Sequence, residues 1–556
     1  MTWPHDLCRA VATLYSAPAA HGGATVEQVG DPDEAVAQKE TVLQKLIERR
    51  NLTREEVVKR LEARGKEMGE TTFTISTRQL DRWCAGQVKD EPRPVTRRVL
   101  EAEFGLPWAI LLGPADRVAL FDQPPYVARR ERSLNAMLVS FLAGSAGATF
   151  GATYELVAAA VERREAEPAA TRAARERERR ALPRDKIAEA LERYYDAQHA
   201  PLYRATVKAS GGEVLPLSLS VLSGPAWTGL SVPLDHGHEQ TRLDRSVDDA
   251  LVATVPPEAF LLGVDRLAAV ETGESVLVDN QLFRLLQAEV DEHHIDLTFG
   301  LTTFKAYALG PDLLATELLG SMTAPPGSSP APLLLREHYL PSLGSAFAFG
   351  ERTCAGGPVC LLAIAREEDY LVVVQERSDK VLNAAGRLAV VPKAFHQPLT
   401  EEDETRLSTT LNRELEEELL GRLELDQISP EARRRLFPGH TSALTEPMRS
   451  LAEHPGAYHL FCTAFGVNLL SGNFEVACLA LIEDPAWAAS YGQALQTNWE
   501  VGGTRCCSSL DTDGLFGLLS DPRWSDEGLF AFVEGLRLLA KHAPGKVKLP
   551  SIEVEL

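Results

Sequence analysis

The chain has 556 residues, 44% apolar and 24% charged, with 40 Gly and 34 Pro. This is an ordinary globular composition. At about 150 residues per domain it allows three or four domains, and it argues against wholesale disorder, collagen-like repeats and a multi-span membrane protein. Acidic residues outnumber basic ones 79 to 57, so the molecule as a whole repels polyanions and any nucleic-acid contact must come from a local surface. Eight cysteines, with no CxxC spacing, read as reduced and mostly buried thiols, and the adjacent Cys506 and Cys507 read as packing residues, with redox activity as the lesser alternative. The start lacks the basic segment of a secretory signal, so a cytoplasmic protein is expected.

Residues 1–38 read as a flexible polar arm and 39–122 as a helical domain, ended by Gln123-Pro124-Pro125. Within it, QKLIERRNLTREEVVKRLEARG gives two short amphipathic helices, the second opened by Thr53 with Glu56 in a capping box. ISTRQLDRWCAG gives another, capped by Ser76 or Thr77 and closed by Gly86. It turns Leu80 and Trp83 inward and Arg78, Gln79 and Arg82 outward. Arg pairs guanine and Gln pairs adenine bidentately, so the outward residues suit base edges, while Arg93, Arg97 and Arg98 on the next helix suit phosphates. Between Glu40 and Phe104 there are 14 basic and 12 acidic residues, against 43 and 67 elsewhere, so the head is near neutral and the remainder carries the acidity. The layout resembles the helix-turn-helix domains of phage-repressor type transcriptional regulators. The resemblance implies DNA as partner through residues 40–104, bound by a homodimer. The joint EARGKEMGETTFTI is longer than the family's three- or four-residue turn, and a small helical bundle that binds protein is the plainer reading.

Residues 126–184 read as a helical connector. Ser133 to Tyr154 carries no charge for 22 residues, but its Ala, Gly, Ser and Thr content favours a buried helix or helical hairpin over a membrane span, with Gly147 and Gly151 suited to close packing. The following ERREAEPAATRAARERERR (162–180) reads as a solvated helix face, with phosphate contact as the lesser alternative. Residues 185–322 read as an α+β domain, with a helix in KIAEALERYYDA, strands in LYRATV and LPLSLSVL, and a helical run in VDNQLFRLLQAEV. His236, His238, His293 and His294 have no companions at zinc-like spacing and read as surface or packing residues. TAPPGSSPAP (323–332) is the clearest linker by composition.

In the last segment, 333–556, PVCLLAIA, YLVVVQER and RLAVVPKAF read as strands. From Leu399 to Leu420 a helix follows, with Leu407, Leu411, Leu415 and Leu419 as an apolar stripe. Beside the stripe, Glu414, Glu417 and Glu418 share an arc of about 100°. Such carboxylates either face solvent or are neutralised by hard cations such as Mg²⁺ or Mn²⁺, which in turn hold diphosphates. Asn468, Asn473 and Glu475 flank a Gly-containing turn that explains them without a ligand, and Trp524 reads as core more readily than as a pocket wall.

Arg413-Glu414-Leu415-Glu416-Glu417-Glu418 matches the R-E-U-x-E-E heart of the Nudix box, and the segment resembles the Nudix hydrolase superfamily. The resemblance implies an α/β/α sandwich with a mixed sheet. It implies catalytic and metal-binding roles for Glu414, Glu417 and Glu418, with Arg413 orienting the helix, in hydrolysis of a nucleoside diphosphate linked to another moiety. Leu399, Thr405, Leu420 and Lys393-Ala394 stand where the family has Gly, Glu, Gly and Gly-Gly. Lys393 and His396 are the side chains expected to contact an anion instead. The expected fold is thus a multidomain α/β and α+β chain. It has an all-α helix-turn-helix head, a middle α+β domain and a C-terminal Nudix-like sandwich. The expected function is a transcriptional regulator with a nucleotide-type ligand. The alternative is a Mg²⁺-dependent Nudix pyrophosphohydrolase whose N-terminal helices dock or oligomerise.

Overall fold

A computed structural model describes residues 41–49, 53–68, 73–87, 93–104, 108–112, 135–195, 202–246, 256–277, 280–324, 332–379, 381–398, 405–420, 444–454, 456–492 and 501–555. The N-terminal arm, the Gln123-Pro124-Pro125 boundary and residues 399–404 of the expected acidic helix lie outside them. The elements are those of a multidomain chain of helices and mixed sheets, in two compact units: 2–127 with 421–449, and 128–420 with 450–556.

The first unit is helical, with α1 (Val42–Arg49), α2 (Arg54–Glu67), α3 (Thr77–Cys84), α4 (Pro94–Phe104) and α5 (Trp108–Leu111). Thr53 and Glu56 form the capping box that opens α2. Ser76 accepts the Gln79 N–H to open α3, and Gly86 follows α3 at φ 66°. The inner face is apolar: Val57, Leu61, Leu80, Trp83, Val99 and Leu100 are buried.

The second unit opens with α6 (Ala136–Ser145), α7 (Phe150–Ala166), α8 (Ala169–Arg180) and α9 (Arg184–Tyr194). The uncharged stretch is therefore a helical hairpin, its arms bent by 118°, and no single helix among the described residues is long and apolar enough to cross a membrane. Gly147 and Gly151 do not make the expected close contact, since a Cβ at either would meet nothing within 4 Å.

There follow β1 (Leu202–Lys208), β2 (Val214–Leu222), β3 (Val232–Pro233), β4 (Glu239–Leu243), α10 (Phe260–Glu271), β5 (Gln281–Val290), β6 (Ile295–Thr303) and α11 (Leu313–Met322). Here the expected helical run is corrected: QLFRLLQAEV is β5, paired antiparallel to β6, which itself pairs parallel to β4. Leu282, Phe283, Arg284 and Leu285 are consecutive and all buried. A strand buried on both faces loses the alternation that marks strands, and a short apolar run then fits either period.

The last segment supplies β7 (Gly356–Ala365), β8 (Tyr370–Arg377), β9 (Leu388–Val390), α12 (Leu407–Leu419), β10 (Tyr458–Asn468), β11 (Phe474–Ile482), β12 (Val501–Ser508), α13 (Asp526–His542) and β13 (Ser551–Glu555). One ten-stranded sheet runs β12-β8-β7-β11-β10-β2-β1-β13, with β9 on β8 and β3 on β10. The β7–β11 pair is parallel and the others are antiparallel. β1 and β2 thus continue the sheet of the following segment, so the linker at 323–332 does not divide the fold. The strand pairing spans it. β7 and β11 are buried along their whole length, as their unbroken apolar sequences require. α13 packs over them closely enough that a Cβ at Gly535 would lie 2.8 Å from Leu361 Cδ2.

Candidate functional site

The acidic helix α12 is held by its leucine stripe. Leu407, Leu411, Leu415 and Leu419 are all buried, each stabilising the fold by about 1.5–3 kcal/mol. Its N-terminus has no cap from its own chain neighbourhood. Glu239 of β4 does this from 169 residues away, accepting the N–H of Leu407, the N–H of Ser408 and the Ser408 hydroxyl. A carboxylate suits the positive end of a helix, although burial raises the Glu239 pKa above the ordinary value.

The motif carboxylates do not form a solvated face. Glu414, Glu416, Glu417 and Glu418 are only 1–8% exposed. Arg413 does touch its motif neighbour, pairing Nε (3.1 Å) and Nη2 with Glu414 Oε1. Glu418 accepts the backbone N–H of Lys393 (3.5 Å) and the side-chain amide of Gln375 (3.3 Å), which also donates to Val390 O. The carboxylates therefore have protein partners, and among the described residues no group of three or more acidic, His or Cys side chains is placed to hold a metal ion.

Lys393 and His396, expected at an anion, have other partners. Lys393 Nζ pairs with Glu527 and donates to Asn383 Oδ1 at 2.8 Å. His396 is fully buried among Phe283 and Phe299. Its Nε2 lies 2.9 Å from the Thr405 carbonyl and its Nδ1 2.9 Å from the Thr410 hydroxyl, an arrangement that satisfies a neutral ring protonated on Nε2. Burial lowers its pKa to about 3. In this structure both side chains of the substituted turn are thus engaged by the protein's own groups.

Behind Lys393 runs a polar chain that sequence reasoning assigned to turn chemistry. Asn468 donates to Glu527 Oε2 at 3.2 Å and accepts the Ser220 hydroxyl at 3.0 Å. Burial and the neighbouring Glu527 hold the Glu475 carboxyl well above the usual range. Burial also works against the charge of Glu527, but Lys393 outweighs it and keeps that carboxyl low.

This chain opens into a cleft of about 190 Å³. Its walls come from the α8–α9 joint (Arg179, Arg180, Arg184), from Arg266 of α10, from Arg387 in the turn before β9, and from Trp524 to Glu527 at the start of α13. Trp524 is both core and cleft wall. Gly386, at φ 64°, lies against the Arg180 guanidinium of α8, which a Cβ there would displace. The arginine run 162–180, read as a solvated face, therefore contributes to a cavity. The only signal was its basic end, and interspersed glutamates masked it.

In the helical unit, Arg78, Gln79 and Arg82 are exposed on α3. Arg97 and Arg98 are half-buried, Arg97 stacking 5.6 Å from the Trp108 ring centroid and Arg98 lying 3.9 Å from Glu446. His238 and His294 pair with Asp235 and Asp291 in surface turns. Cys84, Cys354, Cys360, Cys462 and Cys478 are buried free thiols, and Cys506 is exposed. No protein-family model matches the chain, and no curated protein matches it significantly.

Proposed function

We propose that the protein is a DNA-binding transcriptional regulator whose Nudix-like segment binds a nucleoside-diphosphate-linked ligand without relying on its hydrolysis. The observation that carries the choice of binding over catalysis is the engagement of the motif helix. Glu414 is taken by Arg413, Glu418 by Lys393 and Gln375, and the helix end by Glu239. A hydrolase of this kind needs its carboxylates gathered on cations that polarise water and phosphate. The fold reading is supported by the REUxEE order on a helix that packs on β7, by a mixed sheet, and by a long second helix, α13, over the same sheet. These fit the α/β/α sandwich that the Nudix resemblance implies.

The DNA-binding reading is supported by the exposed Arg78 and Gln79 in the N-terminal half of α3, where a recognition helix meets base edges, with Arg82 exposed one turn on. The reader would act as a homodimer. The hydrolase reading keeps one specific observation in its favour, the unbroken Arg413 to Glu418 motif. A screen of the full chain with Mg²⁺ against dinucleotides, ADP-ribose and nucleotide sugars separates the two. Binding without turnover supports the sensor; turnover lost in Glu417→Gln, with folding retained, rejects it.

A further inference from the structure

We propose that the cleft between the α8–α9 joint and the start of α13 is a phosphate site, in which Arg179, Arg184 and Arg387 take a phosphate or diphosphate group. The cleft has more cations than its acids can serve. Arg180 is paired with Asp379 and Glu176, and Arg266 with Asp312. Glu527 is paired with Lys393, and Asp526 accepts the backbone N–H of Ser220 at 2.8 Å. Among the described residues this leaves the side chains of Arg179 and Arg387 with no hydrogen bond or ion pair, and that of Arg184 with only the Asp521 carbonyl at 3.1 Å.

These three residues are half-buried. The Arg179 Nε is buried and has no acceptor, and burial lowers the pKa of all three guanidinium groups. Glu176 and Asp265 lie near Arg179, Asp526 and Asp521 near Arg184, and Asp526 and Glu527 near Arg387, yet burial outweighs them. Holding cations partly out of water without a hydrogen-bonded partner is costly, and an anion that pairs them directly lowers the cost. Guanidinium groups are forked donors suited to tetrahedral oxyanions. Three of them, from segments about 200 residues apart in the chain, favour an anion with at least two charges. The volume of about 190 Å³ is well above the roughly 10–15 Å³ of such space that one water needs, leaving room for a diphosphate.

The site does not rest on the Nudix reading, and calorimetric titration of the full chain with inorganic diphosphate, phosphate and ADP tests it. We expect saturable diphosphate binding that weakens at least tenfold in Arg387→Ala and in Arg179→Gln. The surface variant Arg523→Ala should bind as the wild type does. Tighter binding of ADP, lost in the same variants, assigns the anion to a nucleotide, and equal binding assigns it to the free anion; both support the site. Should the variants fold poorly, protection of Arg179 and Arg387 in the wild type from phenylglyoxal by diphosphate, read by mass spectrometry, replaces them. No binding to the folded wild type, unchanged affinity in the folded variants, or equal modification with and without diphosphate overturns the proposal. Diphosphate binding here with no binding of any nucleoside-linked compound would keep this site while rejecting the proposed ligand.

Discussion

The Glu239 carboxylate caps the helix that carries the acidic motif, accepting the Ser408 hydroxyl at 2.7 Å and the Ser408 N–H at 3.3 Å. It ties the small β4-β6-β5 sheet to α12. Glu239→Ala should lower stability by about 1–3 kcal/mol, because it orphans buried donors. Glu239→Gln keeps an acceptor and should lose less. Urea unfolding curves check the order of the two variants, and a neutral Ala variant would remove the cap from the account.

Lys393 balances two buried acids, Glu527 directly and Glu475 beside it. Lys393→Met should cost about 3–5 kcal/mol, as expected when one partner of a buried pair is removed. Adding Glu527→Gln to that variant should recover part of the loss. A double-mutant cycle by chemical denaturation reads the coupling; additive losses would mean that the pair is not coupled.

His396 gives the fold an acid limit. Its pKa falls from 6.5 to about 3 on folding because it is buried, so the unfolded chain binds more protons between those values and the native state loses stability as pH falls through them. The contribution is about 1.4 kcal/mol per pH unit in that window. The stability deficit of His396→Gln relative to wild type should therefore shrink as pH drops below 6.5. A deficit independent of pH would show that the ring titrates normally.

At the helical unit, Arg78→Ala and Gln79→Ala should each weaken selected DNA by about 1–3 kcal/mol, roughly 5- to 150-fold, and relax preference at one base position. Arg98→Ala should have a smaller effect that does not depend on sequence, since Arg98 already neighbours Glu446. Enrichment from a random DNA pool measures this, and an unenriched pool rejects specific reading.

Local chemistry made much of the fold legible in the sequence. The Thr53 capping box, the Ser76 and Gly86 ends of α3, the strands β7, β8 and β9 and the leucine stripe of α12 all follow from short-range patterns. β5 was illegible because burial on both faces erases periodicity. The shared sheet was illegible because pairing of β2 with β10 joins residues some 245 apart, which no local pattern encodes. The site shows the same limit. The motif could be read, but the partners that occupy it, Glu239, Gln375 and the Lys393 backbone, come from other elements. The arginines of the cleft meet only in the folded chain.

The central claim is that the Nudix-like segment binds its ligand without relying on hydrolysis. Phosphorus NMR of the full chain with ADP-ribose and Mg²⁺ tests it most directly, because bound and cleaved diphosphates give distinct signals. The account predicts shifted or broadened diphosphate resonances that persist without conversion to monophosphates. Steady appearance of monophosphate signals, abolished by Glu417→Gln in a folded protein, would contradict it.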